Sequence, residues 1–181
     1  MMGTTLAGKS EHGRKLAQEY GMIYVSSGDI ARSLMDDATK AEFAEGKLSP
    51  HDLEIRKAIF RKVWESYHAG KNIVLDGFPR TPWHVVHFLA QVFPHTMVVV
   101  ELDTAREVVM ARSRKRSRDE FDTEAIVTKR NEVYLQETAP ALRFLSSHFG
   151  RAVRVEVPYE QEPTTVFSKI VAELDARGLL S

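Results

Sequence analysis

Two short stretches place phosphate-handling groups at close spacing: Gly3-Thr4-Thr5-Leu6-Ala7-Gly8-Lys9-Ser10 and Asp76-Gly77-Phe78-Pro79-Arg80-Thr81. The first has a glycine, four residues, then Gly-Lys-Ser, the pattern of a phosphate-binding loop. In such a loop the backbone N–H groups curl around phosphates, Lys9 reaches the β and γ oxygens, and Ser10 can meet Mg²⁺. A helix starting near Gly8 aims its positive end at the same anion. In the second stretch an ionised Asp76 can hold Mg²⁺ directly or through its water shell. Gly77 and Pro79 force a stiff turn, and Arg80 offers a planar fork of donors that matches phosphate oxygens. Read alone, the second stretch also fits a plain strand, turn and surface arginine.

The elements that must position these groups follow from periodicity. Ile73-Val74-Leu75 is an apolar run that predicts a buried strand, which delivers Asp76 to the carboxyl end where ligands collect in open α/β sheets. Leu16, Ala17 and Tyr20 share a helical face, with Gly21 as a stop. Only Met1 and Met2 precede Gly3, so the first strand is expected to be a stub or to continue upstream of Met1. Met22 to Val25 predicts a second strand, after which Ser27 or Asp29 caps a helix.

Ser49-Pro50-His51-Asp52 is a strong helix start. The following Leu53, Ile55, Ile59, Phe60, Val63, Trp64 and Tyr67 repeat at helical spacing and are expected in the core. Trp83 to Val92 predicts a helix, and Met97 to Leu102 a strand covered on both faces. Asp103-Thr104 is expected to cap the next helix, and Asp122-Thr123-Glu124 to open another. A strand at Val153 to Val157 and a helix from Thr164 to Leu174 close the chain. This order predicts an α/β fold with a mainly parallel sheet, right-handed crossovers and helices on both faces.

Composition narrows the function classes. The chain has 181 residues, 43% hydrophobic and 28% charged, with zero formal net charge, which suits one globular domain spanning residues 1–181. With no cysteine, disulfides and thiolate metal sites are excluded. His84 and His87 lie one turn apart but lack further ligands at metal spacing. No apolar run is long enough to span a bilayer and no signal-peptide pattern is present, so a cytoplasmic protein without a membrane partner is expected. Arg112, Arg114, Lys115, Arg116 and Arg118 form a basic cluster, readable as a solvated helix face, a nucleic-acid patch or a phosphate clamp. Neutral overall charge and the lack of interleaved aromatics argue against nucleic acid. Arg112 and Arg116, one helical turn apart, favour the clamp.

From Gly3 to Pro140 these motifs, above all Asp76-Gly77-Phe78-Pro79-Arg80-Thr81, resemble the adenylate kinases and their relatives, the nucleoside monophosphate kinases. The resemblance implies a P-loop NTPase-type parallel sheet, a small helical monophosphate-binding insertion at about residues 29–60 and a short lid at about residues 112–122. It implies that a monomer binds ATP with Mg²⁺ and a nucleoside monophosphate. Gly3, Gly8, Lys9, Ser10 and Arg112 would hold ATP, with Ser10 and Asp76 serving the metal. Ser27, Gly28, Arg32, Gly77, Arg80, His84, Arg118 and Arg130 would hold the acceptor. Lys9, Arg80, Arg112, Arg116 and Arg130 would surround the phosphoryl group in transfer.

The chain departs from the family's pattern at identifiable points. Leu6 and Ser10 stand where glycine is usual, Ser27 replaces threonine, and His84 replaces the glutamine that reads adenine. AMP is the first expected acceptor, with deoxynucleotide or pyrimidine monophosphates next. Two alternatives remain at this point: a weakly catalytic nucleotide-binding protein of the same fold, and a P-loop kinase with a non-nucleotide acceptor.

Overall fold

The computed structural model describes residues 1–36, 39–40, 51–91, 98–115, 123–149, 152–157 and 162–180. Arg116, Arg118, the Ser49-Pro50 helix start and most of the expected lid lie outside the described residues. The strands are β1 (Met2–Gly3), β2 (Ile23–Ser26), β3 (Ile73–Asp76), β4 (Val99–Thr104) and β5 (Ala152–Val157). β1 pairs with β4 and β4 with β5, while β2 pairs with β3, all in parallel. The two groups meet through Met1: its nitrogen donates to the Leu75 carbonyl at 2.7 Å, and its carbonyl accepts from the Gly77 N–H at 3.2 Å. The strand order is therefore β2-β3-β1-β4-β5, with the short β1 at its centre.

Helices α1 (Lys9–Glu19), α2 (Ser27–Leu34), α3 (Asp52–His68), α4 (Pro82–Gln91), α5 (Arg106–Lys115), α6 (Glu124–Val133), α7 (Ala139–Phe149) and α8 (Pro163–Asp175) surround the sheet. Leu16 and Ala17 of α1 and Val166, Phe167, Ile170 and Leu174 of α8 pack on Val74, Val100, Leu102, Val153, Val155 and Val157. The opposite face of the sheet packs Met2 and Val99 against Val85 of α4 and Ala141, Leu142 and Leu145 of α7. A third cluster joins β2 to α2, α3 and α4 through Val25, Ala31, Ile55, Ile59, Phe78 and Phe88. Valines dominate the central strands because both faces are covered, as parallel sheets require.

Three expectations are corrected. The helix after β2 is capped by Ser26, whose hydroxyl accepts from the Asp29 N–H at 3.1 Å, and Ser27 is already helical. Asp103 and Thr104 are strand residues, because the ladder with β5 runs on to the Thr104–Val157 pair. The α3 stripe is only partly core: Ile55 and Ile59 are buried, whereas Leu53, Trp64 and Tyr67 are 46%, 65% and 68% exposed. That stripe is wider than the surface the neighbouring elements can cover. Ile170 is 0% exposed, so Ile170→Ala should lower the unfolding free energy by about 2–5 kcal/mol. Urea denaturation checks this, and a loss below about 1 kcal/mol would show that the helix–sheet core does not depend on α8.

Candidate active site

The loop between β1 and α1 is shaped by backbone that only some residues tolerate. Gly8 has φ 97° and Leu6 has φ 62°, the left-handed region in which a branched side chain is strained. Gly3, at φ 141°, lies so close to β4 that a Cβ there would stand 2.7 Å from the Leu102 carbonyl oxygen. The loop is clamped from outside: the Thr5 N–H donates to Asn131 Oδ1 at 2.8 Å, and Arg112 Nη1 donates to the Leu6 carbonyl at 2.9 Å. α1 then starts at Lys9, which leaves its first N–H groups at the loop's inner side. Lys9 Nζ donates to the Thr4 carbonyl at 2.6 Å.

At the carboxyl end of β3, Asp76 is 3% exposed. Its Oδ2 accepts from the Ser10 hydroxyl at 2.6 Å and from the Tyr24 hydroxyl at 2.6 Å. Its Oδ1 is buried and makes no hydrogen bond among the described residues. A buried carboxylate oxygen without a donor, beside a serine oxygen with spare lone pairs, fits a hard divalent cation such as Mg²⁺. Burial pulls the Lys9 ammonium down to about 8; Arg130 and Arg80 push the same way and Asp76 opposes them. A bound phosphate would return the full charge to Lys9.

Past Asp76 the chain turns through Gly77, at φ 74°, whose carbonyl accepts from the Ser27 hydroxyl at 2.8 Å. Arg80 is half-buried by exposure but densely surrounded; burial pushes its guanidinium down and Asp52 partly offsets that. The Arg80 carbonyl accepts from the Thr138 hydroxyl at 2.8 Å. Thr138 closes a π-helical turn, Tyr134–Thr138, between α6 and α7, in which the Ala139 N–H bonds back to the Tyr134 carbonyl. Pro140 supplies the cause: it has no N–H to donate and its ring would clash with the Gln136 carbonyl of a regular helix.

These elements enclose a cleft of about 620 Å³, within the range of small-molecule sites. It brings together Gly3, Gly8, Lys9 and Ser10 from the loop with Asp76, Gly77 and Arg80. Ser27, Gly28 and Arg32 line it from α2, and Arg130 from α6. Arg32 pairs there with Asp29, which also binds Arg14 Nη2 at 2.5 Å.

Two expected members do not line the cleft. Arg112 grips the back of the loop at Leu6. His84 is 1% exposed and turned toward Asp52, with Nε2 3.0 Å from Oδ1, so it does not meet a base in the manner expected of the glutamine it replaces. Tyr24, Asn131 and Thr138 were not identifiable from motif spacing, because each acts on a partner in a distant element. The lone advance signal was Pro140 at the end of an otherwise regular helix.

Leu6 makes a prediction possible. Leu6→Gly relieves about 1–2 kcal/mol of left-handed strain against about 0.4–1 kcal/mol of extra freedom in the unfolded glycine chain. A stability gain of up to about 1.6 kcal/mol is expected in thermal denaturation; a loss would show that Leu6 packing outweighs the strain.

Comparison with known proteins agrees with this arrangement. The adenylate kinase family model matches residues 1–149. An adenylate kinase of Clavibacter michiganensis is 31% identical, covering 99% of this chain and 93% of its own length. Adenylate kinase 1 of a Nostoc species is 33% identical over 80% of this chain and 82% of its own. An adenylate kinase of Bacteroides thetaiotaomicron is 28% identical over 78% of this chain and 80% of its own. With the Gly8-Lys9-Ser10 loop, the hydrogen-bonded Ser10 and Asp76 and several arginines lining one cleft, the chain belongs to the adenylate kinase family of ATP-dependent nucleoside monophosphate kinases.

Proposed function

We propose that the protein moves the γ-phosphoryl group of ATP to AMP, giving two ADP. The observation that carries this reading is the polarity of the cleft, with Lys9, Ser10 and Asp76 at the loop and Arg32, Arg80 and Arg130 around the rest. An acceptor that is itself a phosphate needs no general base, and arginines opposite the donor loop suit two anions better than one.

Loop N–H groups and Lys9 would hold the donor phosphates. Ser10 and Asp76 would hold Mg²⁺, which when bound neutralises charge on the β and γ oxygens. Arg80 and Arg32 would grip the acceptor phosphate, with Ser27, Gly28 and Gly77 shaping the ground beneath it. Arg130 would face the charge that spreads over the transferring oxygens. Arg112 supports the reading from behind, by fixing the loop through the Leu6 carbonyl. Residues 29–60 would serve as the monophosphate-binding insertion. Residues 112–122, with Arg116 and Arg118, would be the short lid that excludes water. The working enzyme is on this reading a cytoplasmic monomer.

A coupled assay for ADP with Mg-ATP, run with AMP, with each other common monophosphate and without acceptor, tests the reading. Turnover should depend on AMP above the rest. Arg80→Ala should cost about 100- to 1,000-fold in turnover, the scale of losing one preorganised charge-stabilising donor, with ATP binding retained. ATP binding without monophosphate-dependent turnover would favour a binding protein; turnover on a non-nucleotide acceptor would reassign the substrate.

A further inference from the structure

His84 is a buried polar residue that the cleft does not use directly. It lies in the first turn of α4, where its own N–H donates to the Thr81 hydroxyl at 3.1 Å. Its ring stacks on Phe78, with centroids 5.0 Å apart and planes 30° from parallel. The Arg80 backbone N–H donates to His84 Nδ1 at 3.3 Å. An acceptor at Nδ1 requires a neutral ring whose proton is on Nε2. Nε2 lies 3.0 Å from Asp52 Oδ1, without the alignment of a regular hydrogen bond.

Asp52 is the anionic centre of this group. Its Oδ2 accepts from Arg56 Nε at 2.8 Å, and the Arg56 guanidinium covers the Trp83 ring at 4.3 Å. Asp52 also favours the charged form of Arg80. The Arg80 main chain is thus held on both sides, by His84 at its N–H and by Thr138 at its carbonyl.

We propose that His84 is a positioning residue for the acceptor phosphate: it holds the Arg80 backbone through Nδ1, with its Nε2 side seated against Asp52 of α3. The role rests on Arg80 binding the acceptor, the function proposed above. It differs from base reading, because the imidazole sets where the guanidinium starts and touches no base. The groups facing it are Asp52 and Arg56 from α3 and Arg80 from the turn; burial is the largest influence and holds the ring below the ordinary histidine value of 6.5. Acid that protonates Nδ1 replaces an acceptor by a donor opposite the Arg80 N–H, so the hold is lost as pH falls through that lowered value.

The test uses the whole chain and three readouts. Nitrogen-15 NMR of the unsubstituted protein should show His84 with Nε2 protonated and Nδ1 bare; the opposite tautomer overturns the proposal. His84→Ala should raise the KM for AMP about tenfold, the scale of one lost hydrogen bond, with the KM for ATP within about twofold. His84→Asn keeps an acceptor near the Nδ1 position and should bring the KM for AMP back to within about threefold. It should also lack the acid rise in that KM which the unsubstituted protein shows. Neither variant should change the ranking of nucleobases. Asn behaving like Ala, an equal rise for ATP, or a changed base ranking would overturn the positioning role. Absence of AMP-dependent turnover in the unsubstituted protein would overturn the proposed function instead, and the tautomer would still decide the contact.

Discussion

Cationic groups crowded around one buried carboxylate set the terms for the rest of this structure. Lys9, Arg80 and Arg130 share the cleft with Asp76, and burial together with the two arginines lowers the affinity of Lys9 for its proton. Like charges gathered out of water are unfavourable unless an anion joins them. Asp76 supplies one negative charge at a strand end, with one oxygen satisfied by Ser10 and Tyr24 and the other without a hydrogen bond among the described residues. Cationic side chains outnumber carboxylates in the lining of the cleft, a balance that suits anionic groups.

Holding such a site falls largely to contacts on the main chain. Asn131 and Arg112 bond backbone atoms of the phosphate loop, and His84 and Thr138 bond backbone atoms of Arg80. Main-chain anchors fix the direction from which a side chain starts without drawing on that side chain's own groups. The same logic explains why helices α5 and α6 matter to a loop more than a hundred residues earlier: Thr5 and Asn131 are 126 positions apart. The π-helical turn before Pro140 serves this end, since it carries Thr138 to the Arg80 carbonyl.

Leu6 and His84 show how a departure from a family pattern acquires meaning only in three dimensions. At Leu6 the backbone keeps the left-handed conformation that glycine would adopt freely, so the loop's path is set by its clamps and not by local preference. At His84 the ring lies buried outside the cleft, stacked on Phe78 and beside Asp52, with its Nδ1 accepting from the Arg80 N–H.

The parallel α/β order, the strand leading to Asp76, the loop ending in Gly8-Lys9-Ser10 and the valine-rich strand β4 were legible in the sequence. Each is encoded within a few neighbouring residues, by side-chain period or by backbone demands of glycine and proline. The exact cap at Ser26, the strand character of Asp103 and Thr104, and the exposed part of the α3 stripe were not, because strand pairing and the extent of cover are set by other elements. Tyr24 reaching Asp76 across 52 positions, Arg112 turning to the back of the loop and His84 turning to Asp52 were decided by tertiary structure alone. A side chain's chemistry is local, but its partner is whichever group packing brings within about 3 Å, and no spacing along the chain carries that information.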